Sequence, residues 1–298
     1  MNQAVLDTAR LDAGRLDAGH AATEVRAALT FITPPSSPGA AKPAFESSAY
    51  SGGVPRVLFE TERHIVPIRD MRPRAEKFSL DREGFELLRS RTSVADLYDD
   101  AAVERDYYPE IEALLRSALG ADRVVIFDAT RRSDAGAGAA NADGMRGPAS
   151  RVHVDYTEKS GPQRVRDFFG ADEAARLFAS GARIVQVNVW RPIRGPVQRS
   201  PLALADAASI RPADLIATDQ LFPGRIGEIY HLAYNPTQRW YYAPEMTRDE
   251  VLLIKGWDSL DDGRARFTPH SAFELPETPS GAAPRESIEV RTLVAIES

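Results

Sequence analysis

The sequence predicts a mainly β fold with flanking helices, built on a jelly-roll core of the cupin-like, double-stranded β-helix type. Three observations lead there. From Arg123 onward the chain breaks into many short apolar runs separated by Pro and Gly turns, the runs do not alternate regularly with helices, and several show two-residue alternation of dry and polar side chains. Strands are expected at 123–128, 151–156, 183–190, 201–206, 228–235, 239–243, 251–257, 265–271 and 286–296, with one helical interruption at 162–179.

Ahead of this region the chain reads differently. Residues 1–22 form a flexible leader, because the RLDAGRLDAG repeat at Arg10–Gly19 is too short and too polar to build a repeat fold. The Pro-, Ser- and Gly-rich stretch 33–53 lacks the apolar surface that would offset its ordering, and reads as a loop or wrapping arm. The run RVLFETERHIVPIRDM alternates in places like a strand, while Asp81–Arg91 and Asp99–Leu119 are expected as helices. In the second of these Val103, Tyr107, Ile111, Leu114, Leu115 and Ala118 fall at helical spacing, with Asp99 or Asp100 as N-cap and Gly120 as terminator. Residues 23–298 are thus expected to form a single domain, with an N-terminal arm and helices over 23–122 and the jelly-roll core over 123–298.

Composition narrows the chemistry. The chain has no cysteine, which removes disulfides, iron–sulfur clusters and thiolate-held metals and leaves His and carboxylate side chains as ligands. A net charge of −6 argues against wide phosphate-backbone binding, so nucleic acid is not an expected partner. No stretch approaches the roughly 20 apolar residues of a membrane span and no targeting segment is evident, so a cytoplasmic location without membrane association is expected.

Strand faces locate the candidate site. In 151–155, Val152 and Val154 oppose Arg151, His153 and Asp155; in 185–190, Val185, Val187 and Val189 oppose Gln186, Asn188 and Trp190; in 285–294, Ile288, Val290 and Val294 oppose Arg285, Ser287, Glu289 and Arg291. A polar strand face ordinarily meets solvent. Three such faces carrying a ligand pair, an amide and an Arg-x-Ser point instead to a polar barrel interior. His153 and Asp155, two residues apart, project to one side of a strand with bases roughly 7 Å apart, and can share one metal. A facial triad needs one more histidine. His270 in FTPHSAF is the best placed, since His20 lies in the leader, His64 in the arm and His231 in an aromatic strand. The competing reading of His270 is an inert, hydrogen-bonded loop residue. Arg285 and Ser287 offer a planar cation with a hydroxyl beside it, as the distal carboxylate of a dicarboxylic acid requires. Arg291, about 20 Å further along the same face, has Glu289 beside it and reads as an internal ion pair.

In its order of motifs, H-x-D, many strands, His, then Arg-x-Ser, the chain resembles the 2-oxoglutarate/Fe(II)-dependent oxygenase superfamily. More closely it is similar to the hydroxylase/desaturase family that takes in the aspergillic-acid pathway hydroxylase, fungal gibberellin desaturase-like proteins and the CmcJ protein. The likeness rests on SLDREGFELL (79–88), RVHVDYT (151–157), VNVWRPIRGPV (187–197), PLALADA (201–207), NPTQRWYYAPEMTRDEVLLIKGWDS (235–259), TPHSAF (268–273) and PRESIEVR (284–291). The resemblance implies Fe(II) on His153, Asp155 and His270, with 2-oxoglutarate on Arg285 and Ser287 and O₂ as the third reactant. Asn188 then contacts co-substrate or substrate, or is a buried amide satisfied by backbone. Lys255, Asp258 and Ser259 belong to the family pattern without an evident chemical role.

Other signals point elsewhere and are weaker. Gly136-Ala-Gly138 has no helix after it to receive a phosphate, so DAGAGAANADG (134–144) reads as a mobile loop at the barrel mouth. Of Trp240, Tyr241 and Tyr242, two are expected in the core and one in a substrate pocket. The expected activity is hydroxylation or desaturation of a small natural-product metabolite, free or carrier-bound, with release of succinate and CO₂. The alternatives are a cupin-like metal enzyme without 2-oxoglutarate and a catalytically silent accessory protein.

Overall fold

The computed structural model describes residues 24–37, 39–51, 55–142 and 144–297; the expected leader lies outside them. The strands, in chain order, are Glu24–Ile32 (β1), Ala44–Glu46 (β2), Arg56–Val57 (β3), Thr61–Asp70 (β4), Phe85–Arg89 (β5), Arg123–Ser133 (β6), Ala139–Asn141 (β7), Gly144–Arg146 (β8), His153–Val154 (β9), Arg183–Arg194 (β10), Leu202–Ala205 (β11), Leu215–Phe222 (β12), Arg225–Leu232 (β13), Trp240–Tyr242 (β14), Glu250–Asp258 (β15), His270–Ala272 (β16) and Glu286–Ile296 (β17). They assemble into a large sheet in the order β1-β4-β14-β11-β16-β9-β13-β12-β2-β3, a five-stranded sheet in the order β5-β15-β10-β17-β6, and the β7-β8 hairpin. The two main sheets make the jelly roll, and the large one curls so that β1 also meets Arg151 and Ala233 through isolated bridges from Thr30 and Ile32.

The five-stranded sheet is dry on its outer face. Val185, Val187, Val189, Val251, Leu253, Ile288, Val290 and Val294 pack there against Val103, Tyr107, Ile111, Leu114 and Leu115 of the long helix. That helix starts where expected: the Asp99 carboxylate accepts from the amides of Ala101 and Ala102, and Gly120, at φ 67°, ends it. Its first part contains a π turn at Val103–Tyr107, and Ala118, expected in the buried stripe, is exposed. Every second residue of β10 and β17 therefore faces the other sheet, as alternation required.

Several boundaries differ from the sequence reading. Asp81–Arg91 is not a helix: the carbonyl of Ser79 accepts from the amides of Arg82, Glu83 and Gly84, Gly84 turns the chain at φ 89°, and β5 then pairs with β15. The open edge of β15 overrides local helix propensity. The stretch 162–179 is two helices, Ser160–Phe169 and Ala171–Ala179, broken at Gly170. Of 265–271, only His270 onward is strand, and 134–144 contributes to the β7-β8 hairpin, pinned where the Asn141 amide bonds both the N–H and the C=O of Arg131. β12 had gone unread, although Pro223-Gly224 between two alternating runs is a hairpin signature, with Phe222 paired to Arg225. Within the wrapping arm, Ala44–Glu46 adds to β12 in parallel. Trp240 and Tyr242 are core residues, and Tyr241 is partly exposed beside Phe78 and Phe85.

Lys255, Asp258 and Ser259 acquire a structural account. The Lys255 ammonium, fully buried, donates to Asp258 at 2.8 Å, to Asp81 at 2.9 Å and to the carbonyl of Ala265 at 2.9 Å, while Arg183 also grips Asp258. Ser259 exchanges hydrogen bonds with the backbone of Ile184. The group ties β15 to β10 and to the turn before β5. Asp258→Ala leaves Lys255 and Arg183 with the half-exposed Asp81 as their shared counter-ion and should destabilise the protein by up to about 3–5 kcal/mol. Lys255→Met should cost less, because Arg183 still neutralises Asp258; urea midpoints of the two variants give the comparison.

Candidate metal centre

β9 lies between β16 and β13, and its pairing assembles the site. His153 is directly opposite His270 of β16, with ring centroids 4.5 Å apart. Directly paired residues share a face, and the face is the inward one because Val152 and Val154 occupy the other and are fully buried. Asp155 follows on the same side, its Oδ1 3.5 Å from His153 Nε2. One ligand atom from each of His153, Asp155 and His270 lies within 4.8 Å of the others. The structure thus brings together the three residues singled out as ligands.

The tautomers follow from the backbone. His153 Nδ1 is 2.8 Å from the carbonyl of Arg151, and His270 Nδ1 is 3.0 Å from that of Thr268. A carbonyl only accepts, so each Nδ1 carries the proton and each Nε2 offers its lone pair. Burial, reinforced by His270, pushes His153 down to about 3, so its ring is neutral at pH 7. For Asp155 burial acts to raise the pKa, but the charge of Arg291, then His153 and His270 and the Asn188 hydrogen bond, outweigh it and hold the carboxyl well below the usual range. Two imidazoles that offer Nε2 and one ionised carboxylate on one side of a point are the donor set of an open, facial divalent-metal site.

Behind the carboxylate stands a second layer. Asp155 Oδ2 accepts from Asn188 Nδ2 at 2.7 Å and from Arg291 Nε at 3.1 Å, which leaves Oδ1 for the metal side. Asn188 in turn accepts from Gln186 at 2.5 Å. The Asn188 amide is therefore engaged by side chains, and the expected backbone partners are not the ones found. Gly256 makes room for this chain, since a Cβ there would stand 1.8 Å from Gln186 Oε1. Arg291 pairs with Glu289 at 2.6 Å, as its spacing suggested, and also with Asp128 at 2.5 Å. Its tie to Asp155 had no signal in the sequence, because a contact between residues 136 positions apart depends on strand register alone.

Arg285 is placed differently. It is 2 % exposed and has no carboxylate partner among the described residues. One Nη donates to the carbonyl of Ser200 at 2.8 Å, Nε has no partner, and the guanidinium lies 5.9 Å from the Trp190 ring centroid. Burial, with Arg132 adding to it, lowers its pKa to about 10. Ser287, buried beside it, makes only a 3.5 Å contact to the carbonyl of Arg132. Arg132 itself was missed: ending the strand at 128 hid that Asp128, Thr130 and Arg132 share a face opposite Arg291, Glu289 and Ser287. A cation with free donors and a hydroxyl beside it, buried with no ion-pair partner among the described residues, is suited to an anionic group from outside.

His231, the rival ligand, is one strand away, opposite His153 on β13. It is not in the ligand group; its ring packs 4.8 Å from Phe59 and its Nδ1 is buried without a partner. His64 stacks on Tyr234 instead, and His20 is outside the described residues.

Comparison with known proteins agrees with this geometry. The family model described as "YDMC: Oxidoreductase/YMDC permease-like domain" matches residues 29–295. The hydroxylase/desaturase efuI of Hormonema carpetanum is 35% identical over 263 residues, covering 81% of this chain and 86% of that protein. The Fe(II)/2-oxoglutarate-dependent dioxygenase nvfI of Aspergillus novofumigatus is 36% identical over 253 residues, covering 81% and 87%. A solved structure of the iron and alpha-ketoglutarate-dependent endoperoxidase NvfI superposes with a TM-score of 0.80 at 31% identity, over 93% of this chain and 99% of that one.

Burial pushes His231 as well as His153 down to about 3, Arg151 adding to the effect on His231. For both, the unfolded chain binds more protons than the fold between about pH 6.5 and pH 3, so stability falls as pH drops through that window. The metal-free protein should therefore melt at a lower temperature at pH 5 than at pH 7. His231→Phe, which removes one of the two groups, should flatten the slope of melting temperature against pH; an unchanged slope would show that His231 titrates normally.

Proposed function

The chain belongs to the hydroxylase/desaturase family of Fe(II)/2-oxoglutarate-dependent dioxygenases, and from that premise we propose that it hydroxylates or desaturates a small natural-product metabolite. The overall change is insertion of oxygen into one C–H bond, or removal of two hydrogens from adjacent carbons, at the expense of O₂, with 2-oxoglutarate converted to succinate and CO₂. One oxygen atom enters succinate, and the other enters the hydroxylated product or leaves as water on desaturation. The observation that carries the reading is the inward His153, Asp155 and His270 group together with a buried arginine that has no ion-pair partner among the described residues.

Fe(II), when bound, supplies the redox chemistry that activates O₂. The chain's own contributions are separable. His153 and His270 offer Nε2 because backbone carbonyls hold their Nδ1 protons. Asp155 stays ionised and presents Oδ1 because Asn188 and Arg291 occupy Oδ2. Arg285 and Ser287 receive the distal carboxylate of 2-oxoglutarate, with Arg132 adding positive charge at the same end. The packed inner faces of β10, β15 and β11 around Trp190, Leu204 and Leu252 exclude water from that end. Asn188 acts on the metal carboxylate and not on the co-substrate. The substrate is free or carrier-bound.

Anaerobic addition of 2-oxoglutarate to the Fe(II) protein should produce a weak absorption band at about 500 nm; without that band the co-substrate reading fails. His153→Ala, Asp155→Ala and His270→Ala should each lose metal content and turnover while keeping a cooperative thermal transition. Normal metal content in His270→Ala, with loss in His231→Ala, would reassign the third ligand. Arg285→Lys keeps charge but loses the planar fork, and should raise KM for 2-oxoglutarate at least about tenfold with a smaller effect on substrate. Arg291→Lys should instead weaken Fe(II) retention and leave that KM nearly unchanged, measured by metal analysis after dialysis and by initial rates.

A further inference from the structure

Among the described residues, metal and co-substrate leave Arg151 and His231 as inward groups near the site without a task. Arg151 stands two residues before His153 and, by strand alternation, on its face, with fully buried Val152 pointing the other way. Its guanidinium lies 5.5 Å from the centroid of the Phe45 ring, and among the described residues no carboxylate and no hydrogen-bond acceptor meets it. A half-buried arginine in that state has lost water without gaining a counter-charge. His231, paired opposite His153 from the other side, is 5 % exposed, and its Nδ1 has no partner. Arg151 is close enough for its charge to act on His231. Phe45 and Phe59, both partly exposed, flank the two groups, so one cation and one orphaned ring nitrogen sit between aromatic walls next to a metal ligand.

We infer that the substrate is a free carboxylic acid whose carboxylate is received by Arg151 and hydrogen-bonded by His231, with its apolar body against Phe45 and Phe59. This rests on the proposed function, which commits Arg285 to 2-oxoglutarate, while Arg291 is already neutralised by Glu289, Asp128 and Asp155. Arg132 lies at the co-substrate end, opposite Ser287, where it donates to the carbonyl of Gly147. Among the described residues, Arg151 is thus the inward cation near the metal group left for a second acid. Successive same-face positions on a strand are roughly 7 Å apart, so the carbon presented to the metal lies several bonds from the carboxyl group. An acid held this way is not tied up as a carrier thioester through that carboxyl group. Arg151 and His231 are specificity residues, and the metal ligands alone carry the chemistry.

The test uses the Fe(II) protein, anaerobic and saturated with 2-oxoglutarate so that Arg285 is occupied. Benzoate, cinnamate, indole-3-acetate and decanoate are titrated against their methyl esters, by calorimetry and by the shift of the ~500 nm band. At least one acid should bind about tenfold or more tighter than its own ester, as expected for a charge-assisted, bidentate contact. Arg151→Gln should abolish that preference without changing ester affinity, Arg151→Lys should keep part of it, and His231→Phe should reduce it less than Arg151→Gln. Esters binding as well as acids, a preference that survives Arg151→Gln, or no binding of any acid at millimolar concentration would each overturn the inference. A missing band with 2-oxoglutarate sinks the co-substrate reading instead. The acid-against-ester comparison can then be read by calorimetry on the metal-free protein, with Arg285→Gln as the control for binding at the other arginine.

Discussion

The carboxylate of Asp155 is the point on which the rest of the site depends. It is largely buried, and burial alone would favour its protonated form. What keeps it ionised and aimed is a set of donors from the opposite sheet: Asn188 on β10 and Arg291 on β17, both on Oδ2. Those two strands are neighbours, with Asn188 directly paired to Arg291, so the clamp is a consequence of their register. The large sheet supplies the metal ligands, and the small sheet supplies the groups that hold one of them. The two faces of the jelly roll are therefore coupled through one side chain, and a shift of either sheet by a residue would separate them.

Two arginines, Arg285 just before β17 and Arg291 within it, show how a barrel interior divides structural charge from binding charge. Arg291 has three carboxylates around it and its donors are occupied within the protein. Arg285, six positions earlier, has a guanidinium that meets a carbonyl and an aromatic ring and, among the described residues, forms no ion pair. Burying an unpaired guanidinium is costly, and a fold retains one where an incoming anion completes it. The Lys255, Asp258, Asp81 and Arg183 group is the opposite case. Lys255 and Asp258 are fully buried, Asp81 reaches the surface, and the charges of the group satisfy one another.

The hydrogen bonds at His153 and His270 follow the same economy. Each ring is fixed by the carbonyl two residues before it, so the backbone of a single strand segment sets both the tautomer and the direction of Nε2. No additional side chain is needed to orient either imidazole. The open side of the metal group then faces the space between the sheets, where Arg285 stands toward one end and Arg151 and His231 stand beside β9.

By itself the sequence determined the strand faces, because alternation is a local property: Val152 and Val154 against His153 and Asp155, and Ile288 and Val290 against Ser287 and Glu289, are fixed once a segment is extended. It also determined the long helix from Asp99 to Gly120, whose cap and terminator are local chemistry. The pairing of His270 with His153 was legible only as order along the chain, an ordering that the family resemblance supports. Tertiary structure alone decided which groups lie behind the ligands. Asn188 reaching Asp155, Arg291 reaching it from the other side, and Arg132 facing Ser287 all depend on register between strands far apart in the chain, which no local pattern encodes. The same reason accounts for β5. Its residues favour a helix in isolation, and they become a strand because the edge of β15 offers hydrogen bonds that a local turn cannot match.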